Sequence, residues 1–425
     1  MENYSVVIFI LAIMIGLSAI ADRIRLPYPI LLIVAGITIG FVPFLPDVEL
    51  NPEIVFLIFL PPLLYDAAFN ISFSEFRTNI NTIGALSISL VFITASGIAV
   101  IAHYLIPGMT WPLSFVLGAI LSATDAVAAM SITKGLGLSH KTNTILEGES
   151  LVNDASALVA YRFAVAAVSG TVFIFWQASL QFILLMGGGF VVGWVMGKIL
   201  AFVLQRVKNN YLVTISFMLL MPFVTYLVAE DLHVSGVIAV VILGLSIAHY
   251  SNKVFPDQLK QQSKSIWDMI IFLLNGLIFI LIGLQLPFIV KKIDQTEILP
   301  YIGYGFIITV AALFLRMARV FLQKVNLQKS FKKGKRKITE NALLDFRNSL
   351  VISWSGMRGI VSLAIAIGLP VTLSNGSPFP QRDAIIFISV VVVLFTLIGQ
   401  GLTLPWLVRR LKTTARSSTP MSNDH

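Results

Sequence analysis

The sequence predicts an all-α polytopic membrane protein, and three observations carry that expectation. Of 425 residues, 57% are hydrophobic and 12% charged, against about 25% charged in soluble domains. About thirteen stretches approach the ~20 apolar residues that a helix needs to cross hydrocarbon. Basic residues gather in every second connection between those stretches, as membrane orientation requires.

The candidate spans lie near 4–21, 27–43, 52–70, 80–106, 112–134, 142–169, 177–204, 211–229, 235–250, 265–288, 298–321, 346–370 and 383–408. The second and ninth are short, and KGLGLSHKTN, Lys134 to Asn143, separates the fifth from the sixth. The first follows MENYS, which lacks the basic n-region of a secretory signal, so it reads as a retained helix. Arg23 and Arg25, Arg77, Lys134 and Lys141, Arg206 and Lys208, the trio Lys253, Lys260 and Lys264, the run Gln328 to Lys337, and Arg409, Arg410 and Lys412 fall in alternate connections. The others are neutral or acidic, with Asp47 and Glu49 in one and Glu230 and Asp231 in another. Lys291 and Lys292 depart from the pattern, with Asp294 and Glu297 close behind. The rule places the N-terminus outside and the C-terminus in the cytoplasm, and an even helix count would break the alternation.

The net charge of +9 is therefore spent on orientation, and the partner it implies is membrane lipid, not nucleic acid. The run Lys332 to Lys337 reads as a solvated cytoplasmic connector. The absence of cysteine excludes disulfides, thiolate metal sites and thiol catalysis. Residues 1–412 read as one transmembrane domain, and the polar stretch 413–425 as a short disordered cytoplasmic tail. An odd count suits two six-helix repeats of inverted orientation joined by a linker helix: about 4–169, then 177–204, then 211–408. The fifth span then matches the twelfth, and both carry polar residues in mid-run: Ser122, Thr124 and Asp125 in one, Ser353, Ser355 and Arg358 in the other.

Four stretches put ionisable groups at membrane depth, where each costs about 2.5–3.5 kcal/mol at a helix centre. EGESLVNDASALVAYR, Glu147 to Arg162, is the densest. Glu149 and Asn153 are four apart, as are Ser150 and Asp154, so two polar stripes run side by side on a helix. Asp154 reads as a carboxylate that trades a proton for a small cation; the alternative is a polar helix-packing patch. In FLPPLLYDAAFN, Pro61 and Pro62 are expected to interrupt the helix and free carbonyls. Asp66 follows a turn later, as part of the site or as an interfacial carboxylate. In LSATDAVAAM, an unwound helix would free the Thr124 carbonyl and put Asp125 at the start of the next half-helix, as cap, site or both. In WSGMRGIVSLAIA, Arg358 needs a partner. The expectation is Glu149, bridged by Asn153, which leaves Asp154 the one free carboxylate. Arg316 and Arg319 are expected to snorkel or to approach the site from the interior side, and Arg162 to pair with a neighbouring carboxylate.

LPPLLYDAAF, ATDAVAA, EGESLVNDASALVAY and GMRGIVSLA resemble, in order and spacing, the signature stretches of the monovalent cation:proton antiporter family of sodium/proton exchangers, in particular its bacterial NhaP-like branch. The resemblance spans most of the membrane region. It implies thirteen helices in inverted repeats, with crossed, unwound fifth and twelfth helices, working as a homodimer. It implies that Asp154 binds the ion with Asp125, Thr124, Ser150 and Asp66, supported by Glu149, Asn153 and Arg358. The Asn153-Asp154 pair looks like the variant associated with electroneutral exchange.

The expected activity is exchange of Na+, with Li+ and K+ as alternatives, for H+ across the plasma membrane, in pH and sodium homeostasis. It needs no cofactor and makes no covalent chemistry, and no GxxxxGK[ST] loop for ATP is present. A cation channel would need a continuous selectivity ring, whereas these carboxylates converge on one depth. An intramembrane aspartyl protease could use Asp125 and Asp154 as a dyad, but the GxGD motif of such proteases is missing.

Overall fold

The computed structural model describes residues 10–19, 28–41, 52–71, 73–133, 136, 138–170, 175–207, 209–332, 343–373 and 376–411. Helices account for nearly all of them, and the described residues form no β-strand beyond one isolated bridge, Thr372 with Pro378. The polar tail 413–425, Arg23, Arg25, Asp47, Glu49 and the basic run from Lys333 to Lys337 lie outside the described residues.

The first half of the chain holds α1 (Ile10–Ala19), α2 (Tyr28–Gly40), α3 (Pro52–Asn70), α4 (Phe73–Gly84), a π-helical turn (Ala85–Ser89) and α5 (Leu90–Leu105). There follow α6 (Trp111–Ser122), α7 (Ala126–Thr133), α8 (His140–Val168) and α9 (Phe175–Val207). The second half holds α10 (Tyr211–Asp231), α11 (Gly236–Val254), α12 (Asp257–Lys292), α13 (Gln295–Lys332), α14 (Phe346–Trp354) and α15 (Ile360–Ile367). A last helix runs through α16 (Arg382–Phe395), a second π-helical turn (Thr396–Gln400) and α17 (Gly401–Leu411).

Among the described residues eight continuous helices are long and apolar enough to span a bilayer. The chain is an integral multi-pass membrane protein. Several helices outrun their apolar spans. The apolar run near 265–288 becomes α12, Asp257–Lys292, and that near 298–321 becomes α13, Gln295–Lys332. Hydropathy marks only the lipid-facing part, while Gln- and Lys-rich ends such as QKVNLQKSFK have good helix propensity and continue the coil into water. The helix α3 runs through Pro61 and Pro62 and is not interrupted there. Both prolines are buried against neighbours, the setting in which membrane helices tolerate proline.

Two membrane segments are broken. The fifth of the expected spans stops after Ser122 and restarts at Ala126; the twelfth stops after Trp354 and restarts at Ile360. The breaks touch: the Asp125 amide donates to the Met357 carbonyl at 2.8 Å, and the Ser362 hydroxyl to the Ala123 carbonyl at 3.4 Å. The helix α8 packs against α6, α7 and α14, so its polar stripes face this crossing. The helices α3 and α12 approach from another side, each packing on α15.

Candidate functional site

A break in a membrane helix strips several carbonyls and amides of their intrahelical partners, and hydrocarbon supplies no replacement. The chain fills that deficit with charge placed by sign. The Arg358 guanidinium donates through Nε to the Leu121 carbonyl (3.0 Å) and through Nη1 to the Gly356 carbonyl (2.7 Å). Leu121 belongs to the last turn of α6 and Gly356 follows the end of α14, so the cation sits at two negative helix ends. Asp125 occupies the opposite poles. Its carboxylate accepts from the Ala128 amide (3.1 Å) in the first turn of α7 and from the Ile360 amide (3.4 Å) at the start of α15. Asp125 is thus a cap and a cavity-lining group at once.

The expected Glu149–Arg358 pair does not form. Glu149 is bound by Arg316 of α13 through both guanidinium Nη atoms, at 2.9 Å from Nη2 to Oε2 and at closer range from Nη1 to Oε1. Each partner is 1% exposed. Arg316 also donates to the Ile352 carbonyl at 3.0 and 3.2 Å. Gly356 makes room for it, since a Cβ there would lie 2.2 Å from Arg316 Cδ and Nε. Arg316 therefore does not snorkel; of the two expectations for it, approach to the site is the one this geometry matches. Arg358 finds its compensation in helix-end carbonyls instead of a carboxylate.

Two further expectations change. Asn153 does not bridge to Arg358; its Nδ2 donates to Thr124 Oγ1 at 2.6 Å, and Thr124 Oγ1 donates to Glu149 Oε1 at 3.1 Å. The Thr124 carbonyl is not free, because the Ser150 hydroxyl donates to it at 3.0 Å. A carbonyl has two lone pairs, so one acceptor position remains to be shared with the weaker Asn153 contact at 3.5 Å. Elsewhere Arg319 donates to Ser89 at 2.8 Å in the first π-helical turn. Arg162 pairs with Glu230 of α10 at 2.7 Å.

One cavity of about 60 Å³ collects the remaining polar groups: Asp66, Thr124, Asp125, Ser150 and Asp154 all line it. That volume holds a few waters, or a cation with part of its shell. Asp154 is 9% exposed, and no hydrogen bond from another side chain claims its carboxylate among the described residues. Asp66, on α3, accepts from Asn70 at 2.9 Å. Asn153, Glu149 and Arg358 do not line the cavity and lie behind it. Carboxylate and hydroxyl oxygens are the donors that a hard cation takes. Two polar lining residues escape the sequence reading, Ser362 of α15 and Asn275 of α12. A signal for Asn275 existed: it is the one amide in the apolar run IIFLLNGLIFILIGL, residues 270–284.

The family model described as sodium/hydrogen exchanger, transmembrane, matches residues 8–410. The chain is 35% identical over 418 residues to a sodium, potassium, lithium and rubidium/H+ antiporter of Bacillus pumilus, covering 96% of this chain and 61% of that protein. It is 30% identical over 421 residues to the Na+/H+ antiporter NhaH of Halobacillus aidingensis, covering 95% of this chain and 97% of the relative. The structure of the sodium proton antiporter MjNhaP1 from Methanocaldococcus jannaschii superimposes with a TM-score of 0.73 at 22% identity, covering 97% of this chain and 99% of the other.

Proposed function

This chain belongs to the sodium/hydrogen exchanger transmembrane family, and we propose that it exchanges Na+ for H+ by alternating access at Asp154. The printed names of relatives include potassium, lithium and rubidium, so other alkali cations are candidate cargo. The observation that carries the proposal is the convergence of Asp154, Asp125, Thr124, Ser150 and Asp66 on one cavity beside two touching helix breaks. In the proposed cycle, deprotonated Asp154 takes the cation. Ser150 and the Asp125 and Asp66 carboxylates complete the set of oxygens, with the Thr124 carbonyl in reserve. Protonated Asp154 releases the cation. Proton and cation compete for one group, which couples the two flows without ATP or cofactor, and cation binding releases a proton.

The wider arrangement is proposed with it: thirteen spans in two inverted repeats about a linker helix, a homodimer in the plasma membrane, the N-terminus outside and the C-terminus in the cytoplasm. The alternation of loop charge supports the orientation. The paired interruptions at 123–125 and 355–359 support the repeats.

The test is exchange in proteoliposomes, with pH-sensitive dye inside and alkali cation added outside. Asp154→Asn keeps the shape and loses the titrating group, and its cation-driven proton flux is expected to fall to the level of empty vesicles while the protein still elutes as folded. In the unaltered chain, the apparent KM for Na+ is expected to fall as pH rises, because fewer protons contest the site. Native-like flux in the variant would remove Asp154 from the mechanism.

A further inference from the structure

We propose that Asn275 of α12 is a further ligand for the transported cation, its side-chain amide oxygen completing the shell from the wall that faces the broken helices. The assignment rests on the exchange activity proposed above and extends the same site. Asn275 is 3% exposed, yet no hydrogen bond engages its side chain, and its Oδ1 is buried without a partner among the described residues. It lines the cavity that Asp154, Asp125 and Ser150 line. Buried amides are nearly always satisfied, and an amide in the middle of a lipid-embedded helix is costly if it does nothing. A cation, or the water that stands in for it, would satisfy this one.

The position also fits a route. Lys264, Asp268, Ile271 and Asn275 recur at intervals of four, three and four, which puts them on one face of α12. Lys264 and Asp268 are exposed, Ile271 is half-buried and Asn275 is buried. Asp268 and Lys264 both lie near enough to Asp66 to act on its charge. A cation drawn in by Asp268 and Asp66 would meet Asn275 as it sheds water. A neutral oxygen suits that place. It helps to replace a lost hydration water, as carbonyl and amide oxygens do for hard cations. It also carries no proton to exchange, so it leaves the coupling at Asp154 undisturbed.

The test uses the full chain with two variants, Asn275→Leu, which keeps the branched outline without the oxygen, and Asn275→Asp, which keeps an oxygen. Cation affinity is read first by the rise in Tm with added NaCl against choline chloride, a readout that needs no transport. Asn275→Leu is expected to weaken apparent Na+ affinity about fivefold, the loss of one hydrogen-bond-strength contact. In proteoliposomes it should raise KM more than it lowers kcat. Asn275→Asp is expected to restore the affinity and to shift the pH dependence of exchange, because a second titrating group now touches the ion. Without cation, Asn275→Leu should melt no lower than the native chain, since it removes an unpaired amide. Unchanged Na+ stabilisation in Asn275→Leu would overturn the assignment, as would a cation-free Tm that falls with kcat in both variants, which marks a packing role. If the native chain is stabilised by Na+ but moves no protons, the antiport proposal fails while the ligand assignment is still decided by the Tm series.

Discussion

Two buried arginines in one crossing are compensated by different means. Arg316 is matched by a carboxylate, Glu149, and Arg358 by the carbonyls of Leu121 and Gly356. The sequence reveals that Arg358 needs compensation at membrane depth, but carbonyls at helix ends have no letter of their own. Carboxylates are therefore the only partners a sequence can offer, and it pairs Glu149 with Arg358 where the structure pairs it with Arg316. Arg316 had the weaker signal because Arg319 and the nearby lysines make it look like one of a basic interfacial set. The difference has an energetic consequence. Removing one member of a buried ion pair leaves an uncompensated charge and costs about 3–5 kcal/mol. Arg316→Ala should therefore lower the Tm strongly in detergent, and Glu149→Gln in the same background should recover much of the loss. Glu149→Gln combined with Arg358→Ala should show far less recovery. Equal recovery in both double variants would mean that Glu149 serves both arginines alike.

At the scale of elements, the breaks are the part of the site most legible in advance. Polar residues in mid-span, flanked by small residues or glycine, stand at both interruptions: Thr124 and Asp125 in the fifth span, and Ser355 and Arg358 in the twelfth, where unwinding is what the family resemblance implies. The π-helical turns at Ala85–Ser89 and Thr396–Gln400 had no such marker. They lie at tertiary contacts, with Ser89 receiving Arg319 and Thr396 accepting the Arg358 amide at 3.1 Å. What fixes the contact between the breaks is Gly359, where a Cβ would stand 1.9 Å from Asp125 Oδ2. Gly359→Ala must push that carboxylate off the N-termini of α7 and α15. Overpacking of this kind costs about 1–3 kcal/mol, which a folded protein can survive, while the site loses its shape. The expected result is a chain that still elutes as a monodisperse peak, with Na+ stabilisation and exchange both lost. Gly84→Ala is the control, since nothing lies within 4 Å of the added Cβ and the backbone there is helical. Retained exchange in Gly359→Ala would show that the breaks need not touch so closely.

For the whole molecule, the balance of fixed charge sets the electrical character of the cycle. The all-helical, membrane-embedded plan follows from apolar length alone, whereas the wall that α3 and α12 contribute does not. Which helices meet across the cavity depends on tertiary packing that no local pattern encodes, so the lone amide of Asn275 does not by itself point to the site, whereas the carboxylate of Asp154 does. Within the crossing, Glu149 and Arg316 cancel, and Arg358 and Asp125 sit at helix ends of opposite sign. On the proposed cycle Asp154 alone among these groups swaps a proton for a cation, which would move no net charge per turnover. A second exchanging carboxylate, Asp125 or Asp66, would carry two protons against one Na+. The transmembrane potential would then act on one charge, worth about 2.3 kcal/mol per 100 mV, or roughly fiftyfold in the exchange equilibrium. The expected outcome is a proton flux that does not change when valinomycin and K+ gradients set vesicle potentials of either sign, measured with Na+ and Li+ so that K+ serves only as the clamp. A flux that follows the sign of the potential would recruit one of the neighbouring carboxylates into the exchange, and Asp66→Asn, which spares the helix-capping Asp125, would then abolish the voltage dependence if Asp66 is that group and leave it intact if Asp125 is.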